Sequence, residues 1–203
     1  NAGDGNNELI LSRDNLTGDI TAGLGDDKLL LNVDNYTGNI TLGDGTNNLD
    51  LRGSNLNGIV NTGMGNDTIL LTAKDSNMDF NTGNGTDNIT ISGARFTGDL
   101  TVEGNSNDIL ISGVDFDGRV DASEGINDSV LITAKSDASI YLDGIENLTI
   151  TSRAGDFVIN DSTINFSGSS DVISLSQSND LVLNLLAGND KILITDLDRK
   201  SVV

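Results

Sequence analysis

Residues 21–40 read TAGLGDDKLLLNVDNYTGNI, and the sequence on both sides repeats this pattern. Laid out in rows of twenty, residues 1–120 align without a gap. When the columns are numbered from one to twenty, column five is glycine in every row except the sixth, and column seven is always asparagine or aspartate. A fixed period of this length is typical of a solenoid, in which each repeat stacks on its neighbours.

Apolar residues recur in four further columns. Columns nine and eleven are aliphatic in all of these rows, and columns sixteen and twenty are mostly apolar. The alternation across columns eight to twelve is typical of a β-strand, while two or more glycines per row disfavour a helix. One row buries too few apolar side chains to offset the entropy of ordering twenty residues, so the rows must stack to be stable.

The sequence therefore predicts an all-β protein, a single-domain parallel β-helix (β-solenoid) of about ten coils of roughly twenty residues. Crossover chirality favours a right-handed coil. We expect regular coils in 1–120 and a continuation of the same solenoid with irregular coils in 121–203, because the motif returns there at uneven spacings, as in Glu146–Ile150 and Gly188–Ile194. We also expect the chain to be an excerpt of a larger protein.

Composition restricts the possible partners. The net charge of −20 disfavours nucleic acid and anionic membrane surfaces, and no apolar stretch approaches the length of a membrane span. Such a charge suits a soluble extracellular protein or one that binds cations. The absence of histidine removes the commonest general base, and the acidic residues fall in repeating turn columns, so we expect no enzymatic activity.

The turn that precedes each strand reads G-x-G-x-[DN]-x-[LI], as in Gly23–Leu29 and Gly63–Ile69. It resembles G-G-x-G-x-D-x-U-x, the nonapeptide of the RTX, or haemolysin-type, calcium-binding proteins, which are secreted by bacteria. The resemblance implies a parallel β-roll in which turn carbonyls and aspartates of adjacent coils hold Ca2+. The implied metal ligands are Asp27, Asp67, Asp87 and Asp190, with the carbonyls near Gly63, Gly65, Gly83 and Gly85.

The pattern also departs from that family. Its first glycine is replaced here, its period of nine becomes one turn per twenty residues, and asparagine stands at the aspartate position at Asn7, Asn47, Asn107 and Asn127. A structural ladder is the alternative interpretation of column seven. Stacked aspartates repel by about 1 kcal/mol in water, interleaved asparagines relieve this repulsion, and their amides can hydrogen-bond to each other. Both interpretations remain open at this point.

Three functions fit these observations. The first is a non-catalytic extracellular segment of a large secreted or surface bacterial protein, which acts as a stalk, adhesin or binding surface and is stabilised by calcium. The second is an RTX-type module that folds when calcium binds. The third is a β-helix polysaccharide lyase, epimerase or hydrolase, which would need a pair of carboxylates. Expected partners are neighbouring repeats or domains of the parent protein, or a surface glycan or protein receptor.

Overall fold

The computed structural model describes residues 1–112, 115–125, 127–133 and 140–150, and four short strands at 163–166, 172–175, 182–184 and 191–194. These residues form strands, bends and turns in one parallel sheet that winds into stacked coils, so the predicted all-β parallel β-solenoid is confirmed. None of them lies in a helix that could cross a membrane.

Eighteen strands are present in the described ranges. They are β1 (Glu8–Thr17), β2 (Ile20–Thr21), β3 (Lys28–Thr37), β4 (Ile40–Thr41), β5 (Asn48–Asn61), β6 (Thr68–Gly85), β7 (Asn88–Ser92), β8 (Arg95–Thr97), β9 (Leu100–Gly104), β10 (Asp108–Ser112), β11 (Asp115–Asp121), β12 (Ser129–Thr133), β13 (Ile140–Ile145), β14 (Asn147–Ile150), β15 (Thr163–Phe166), β16 (Val172–Leu175), β17 (Val182–Asn184) and β18 (Lys191–Ile194).

Each strand pairs in parallel with the equivalent strand of the next coil. Leu29 lies opposite Leu9 and Leu49, and this twenty-residue register holds as far as the pairing of Asp121 with Thr101, apart from a one-residue shift where Gly85 pairs with Gly104. Beyond that point Ser129 pairs with Asp108, and Asn147 with Ser129, so the repeat first lengthens and then shortens. Like residues therefore lie in columns along the axis, at about 4.8 Å per coil.

The number of coils differs from the sequence prediction. About seven turns are formed, whereas about ten were predicted by spreading a twenty-residue period over the whole chain. Residues 1–150 hold these turns, and β16 and β18 extend the same line of strands beyond them. The prediction also counted residues 151–203, of which the structure describes only β15 to β18.

The core is built from the predicted inward columns. Columns nine, eleven, sixteen and twenty supply fully buried side chains in most coils, including Leu29, Leu31, Tyr36 and Ile40 of the second coil. Column ten faces outward as expected: Ile10 is 62% exposed and Leu30 and Leu70 are half-buried.

Column two is a further inward column that was not recognised in the sequence. It includes Leu42, Thr62, Thr82, Val102 and Ala122, all buried, whereas the buried Leu142 stacks on Val120 of column twenty. It lies two residues beyond column twenty, so the period of two continues through the turn between rows. Its chemical variety hid it, because both aliphatic and hydroxyl side chains occur along it.

The fourth coil exchanges two core positions. Ser76 replaces the large apolar residue of column sixteen, and Met78 replaces the glycine of column eighteen. Both side chains are buried, at 5% and 0% exposure. Met78 therefore adds apolar volume in the same coil in which Ser76 removes it. On the following coils, the Phe96 and Phe116 rings stack with centroids 4.9 Å apart.

Candidate metal centre

Column seven forms a continuous ladder inside the solenoid, which we call the column-seven ladder. It comprises Asn7, Asp27, Asn47, Asp67, Asp87, Asn107, Asp128 and Glu146, and all of them except the first are buried. In each step one side-chain oxygen accepts the backbone N–H of the preceding ladder residue. Asp67 Oδ1 accepts Asn47 N–H at 2.8 Å, and Asp87 Oδ1 accepts Asp67 N–H at 2.8 Å. In the remaining steps the distance between the backbone nitrogen and the side-chain oxygen is 2.7–3.0 Å.

The second polar atom of each side chain faces the turn. In Asn47 this atom is Nδ2, which donates to the carbonyls of Gly43, Gly45 and Thr62 at 3.0, 3.4 and 3.0 Å. Asn7 Nδ2 donates likewise to the carbonyls of columns three and five, at 3.0 and 2.6 Å. Carbonyl oxygens therefore converge on one point per coil, and the amide satisfies them.

The carboxyls place an oxygen where the amides place an NH2 group. Asp27, Asp67, Asp87 and Asp128 each have a buried Oδ2 without a hydrogen-bond partner, and Glu146 Oε1 is in the same state. Asp67 occupies the same column as Asn47 one coil later. The repeat therefore places the carbonyl oxygens of Gly63 and Gly65 beside the Asp67 side chain, as those of Gly43 and Gly45 lie beside Asn47. An anionic oxygen among carbonyl oxygens is unfavourable, so a proton or a cation is favoured at Asp67, Asp87 and Asp128.

Burial shifts the acidity of these carboxyls. Desolvation raises the pKa of Asp67 to about 6, although the nearby polar groups of Thr62 and the Asn47 N–H partly oppose it. Burial likewise raises the pKa of Asp128 to about 6, with the nearby charge of Glu146 adding to the effect. The pKa of Asp87 is raised for the same principal reason. The ladder thus holds ionisable groups whose neutral forms are favoured by the fold.

Column five must be glycine because of both conformation and contact. Gly65 has a φ of +136°, and a Cβ built on it would lie 1.9 Å from the carbonyl oxygen of Gly45. In the sixth coil, Gly104 takes this role one residue early, stacking on Gly85. An extra residue then separates glycine from the ladder in the sixth and seventh coils, where Ser106 and Asn127 adopt φ of 66° and 70°.

Further side-chain ladders on the exposed turns provide hydrogen-bond acceptors for backbone N–H groups. They run opposite to the column-seven ladder, because each side chain accepts from the following coil and not from the preceding one. Here an asparagine or aspartate oxygen accepts the N–H of the following coil, as Asp4 Oδ1 does for Leu24 at 3.0 Å and Asp44 Oδ1 for Met64 at 2.9 Å. The residue that donates needs no polar side chain. This explains why Leu24 and Met64 are 60% and 57% exposed on the turns of a highly charged protein.

The predicted ligand residues fall within this arrangement in part. Asp27, Asp67 and Asp87 are in the column-seven ladder, and Gly63, Gly65, Gly83 and Gly85 form the adjoining turns. Asp190 lies outside the described residues. The asparagine amides of this column donate to backbone carbonyls, and at Asn7 also to Asp27 Oδ1, and not to each other. The prediction of Asn127 at the ladder position of the seventh coil is wrong, because an extra residue after Gly125 places the buried Asp128 there. Sequence reasoning also missed Glu146 in the next coil, although Glu146 opens a recognisable motif copy.

The oxygen atoms of the acidic coils are of the kind that a hard cation binds, but they carry little negative charge per coil. Calcium takes six to eight oxygens from carboxylates, carbonyls and water. Each acidic coil offers one orphaned carboxylate oxygen and the turn carbonyls of columns three and five. Among the residues that the structure describes, no three carboxylates gather at one point. A bound ion would therefore depend on backbone carbonyls and water for most of its ligands.

Fold and ladder together define the class of protein. The chain is a parallel β-solenoid whose coils are joined by side-chain ladders that run along the axis. No known protein family, curated protein or solved structure matched it in comparison.

Proposed function

We propose that the chain is a non-catalytic segment of a large secreted or surface-exposed bacterial protein, where it serves as a stalk or adhesin shaft with a binding surface. The observation that carries this proposal is the column-seven ladder, which links each coil to the next through a buried hydrogen bond. Stacked coils joined in this way form a stiff, extended support. A regular array of acidic turns, without histidine, also supports a structural role over a catalytic one.

Calcium binding at the acidic coils is the second part of the proposal, which agrees with the RTX resemblance. Asp67 and Asp87 would hold the ion together with the carbonyls of Gly63, Gly65, Gly83 and Gly85. Bound calcium would supply positive charge beside orphaned carboxylate oxygens. The support is the set of unpartnered Oδ2 atoms, which the amide of Asn47 replaces with a donor in the neighbouring coil.

Thermal melting in chelator, in millimolar CaCl2 and in NaCl of matched ionic strength tests this proposal. We expect the chain to be folded in chelator and calcium to raise Tm by several degrees beyond the matched salt, because a ligand that binds only the folded state stabilises it. A calcium gain no larger than that of the matched salt would contradict calcium binding. An unfolded protein in chelator would instead favour the RTX-type module, whose folding requires the metal.

Paired variants localise the effect. Asp67→Asn with Asp87→Asn should raise Tm in chelator and remove most of the calcium gain, because each new amide donates to turn carbonyls as Asn47 does. The matched control is Asp26→Asn with Asp79→Asn, which makes the same charge change at exposed carboxylates whose Oδ1 atoms accept N–H groups at 2.9 Å. Equal behaviour of the two pairs would show that the effect is general charge screening.

A further inference from the structure

A polar groove runs along one side of the solenoid, away from the acidic turns. It has a volume of about 530 Å3 and crosses the second to fifth coils. Its sides are the outward side chains of columns fifteen and seventeen, and its floor is column sixteen. The residues that matter here are Asn35, Asn55, Asn57, Asn77, Asp75 and Arg95.

One side of the groove is a preorganised amide ladder. Asn55 Nδ2 donates to Asn35 Oδ1 at 2.8 Å, and Asn35 Nδ2 donates to Asn15 Oδ1 at 2.8 Å. An amide has two N–H donors and two acceptor lone pairs, so each step leaves donor and acceptor capacity towards solvent. These side chains are exposed yet held in one orientation, which lowers the entropy cost of binding a polar ligand.

The groove differs in charge from the rest of the protein. Among its lining residues only Asp75 and Arg95 are charged, and they form an ion pair at 3.3 Å. The groove is thus locally neutral in a chain whose net charge is −20. A polyanion or polycation would find no matching row of charges in it.

The floor and edges exclude two other kinds of ligand. Tyr36 and Leu56 are 1% exposed, and the Tyr36 hydroxyl donates inward to backbone carbonyls, so no apolar or aromatic platform is offered. Strand addition of a peptide needs a free sheet edge, yet β3, β5 and β6 are paired on both sides. What the groove presents is rows of amides and hydroxyls, repeated at about 4.8 Å.

From this geometry we infer that the groove is a binding site for a neutral, extended oligosaccharide that lies along the solenoid axis. Vicinal hydroxyls pair with the free donor and acceptor of successive amides, and the coil spacing presents equivalent contacts to successive sugar residues. The inference extends the binding-surface part of the proposed function. Its failure would leave the shaft and calcium proposals standing, because calcium-dependent melting does not involve the groove.

Titration of the isotope-labelled protein with cellohexaose and chitohexaose, followed by NMR, tests the inference. At least one hexasaccharide should shift amide signals at columns fifteen to seventeen of the second to fifth coils, and bind at least tenfold more tightly than its disaccharide. Absence of shifts with both hexasaccharides, or equal affinity for hexamer and dimer, would overturn the inference. Equal or tighter binding of oligogalacturonate would overturn the assignment to a neutral ligand.

The double variant Asn55→Ala with Asn57→Ala should weaken hexasaccharide binding at least tenfold while Tm and the calcium response stay unchanged. The matched control is Asn48→Ala with Thr68→Ala, exposed polar residues on an outward column of neighbouring coils away from the groove. Unchanged binding by the groove variant, or equal weakening by the control, would contradict the site.

Discussion

Glycine in column five shows at the scale of one residue how stacking constrains the sequence. The backbone of each coil approaches the carbonyl of the coil before it so closely that no Cβ fits, as the 1.9 Å distance at Gly65 indicates. Gly5 occupies the same column with a φ of +98°, but as part of the first coil it has no atoms within 4 Å of a built Cβ. Comparing substitutions at Gly5 and Gly65 therefore distinguishes the cost of backbone conformation from the cost of steric contact with the neighbouring coil.

Gly65→Ala should destabilise the protein far more than Gly5→Ala. Alanine at Gly5 meets only the cost of a left-handed backbone, roughly 1–2 kcal/mol. Alanine at Gly65 adds a clash with a backbone oxygen that cannot move without displacing the neighbouring coil. Urea unfolding of both variants measures the difference. Similar losses of unfolding free energy would show that the coils separate readily at this turn.

The orphaned oxygens of the column-seven ladder could not be predicted from the sequence. The column itself was evident, and so were Asp27, Asp67 and Asp87 as its acidic members. Which carboxyl oxygen binds the neighbouring coil and which faces the turn depends on the stacking direction. The sequence also hid the shift at Gly104, where the glycine moves one residue earlier and Ser106 takes a left-handed conformation.

At the scale of one strand, the alternation of β6 separates core from surface. Leu71 is 1% exposed and lies between Leu51 and Ile91 of the adjoining coils. Leu70 points outward and is half-buried, and its partner in the preceding coil is Asp50. Neighbouring leucines in one strand thus have opposite environments.

Leu71→Asp should unfold the coils around it, because it buries an unpaired charge in the stacked core; we expect a loss of about 4 kcal/mol or more. Leu70→Asp is the matched control and should cost about 1 kcal/mol or less, since an aspartate already occupies that column. Circular dichroism melts of both variants supply the measurement. A shift of Tm by less than a few degrees in Leu71→Asp would contradict the assignment of inward columns.

The strands were predictable because two periods agree. A period of two gave the inward residues of each strand, and a period of twenty aligned them into columns, so the strand segments at columns eight to twelve and around column twenty follow from pattern alone. The continuous course of β5 and β6 between these segments was not predicted. Column two escaped because Leu42, Thr62 and Thr82 share no chemical class. The predicted number of turns was larger because the period was extended over the whole chain, whereas beyond residue 150 only β15 to β18 are described.

At the scale of the whole molecule, the acidic residues form two groups, one exposed to solvent and one buried. Exposed carboxylates lie on outer turns and strands, where water screens them and a few basic residues face them, such as Lys28 opposite Glu8 at 2.9 Å. The buried carboxylates of the described residues lie in one column, where screening is weak and no basic side chain is among the causes of their pKa shifts. Stability should therefore respond to pH mainly through that column.

Acidification in chelator should stabilise the protein. The folded state raises the pKa of Asp67 and Asp128 to about 6, and that of Asp87 also upward, against about 3.9 in an unfolded chain. A raised carboxyl pKa contributes stability that is fully present below the unfolded value and is lost as pH rises through the folded value. Tm should consequently increase as pH falls from about 7.5 to about 5, a range that spans the folded pKa values.

The choice of variants for this pH test follows from the groups that surround these carboxyls. Asp67 is surrounded by Asn47, Thr62 and Asp87, and Asp128 by Asn107, Glu146 and Asp87, so replacing all three aspartates removes most of the titration. The triple variant Asp67→Asn, Asp87→Asn and Asp128→Asn should show a nearly flat Tm over this range. The exposed triple variant Asp4→Asn, Asp26→Asn and Asp79→Asn should respond as the parent does.

Protons and calcium would compete for the same orphaned oxygens, so the calcium gain should shrink at pH 5. A parent Tm that falls on acidification, or a buried triple variant that keeps the full response, would contradict the ladder as the source of the pH dependence.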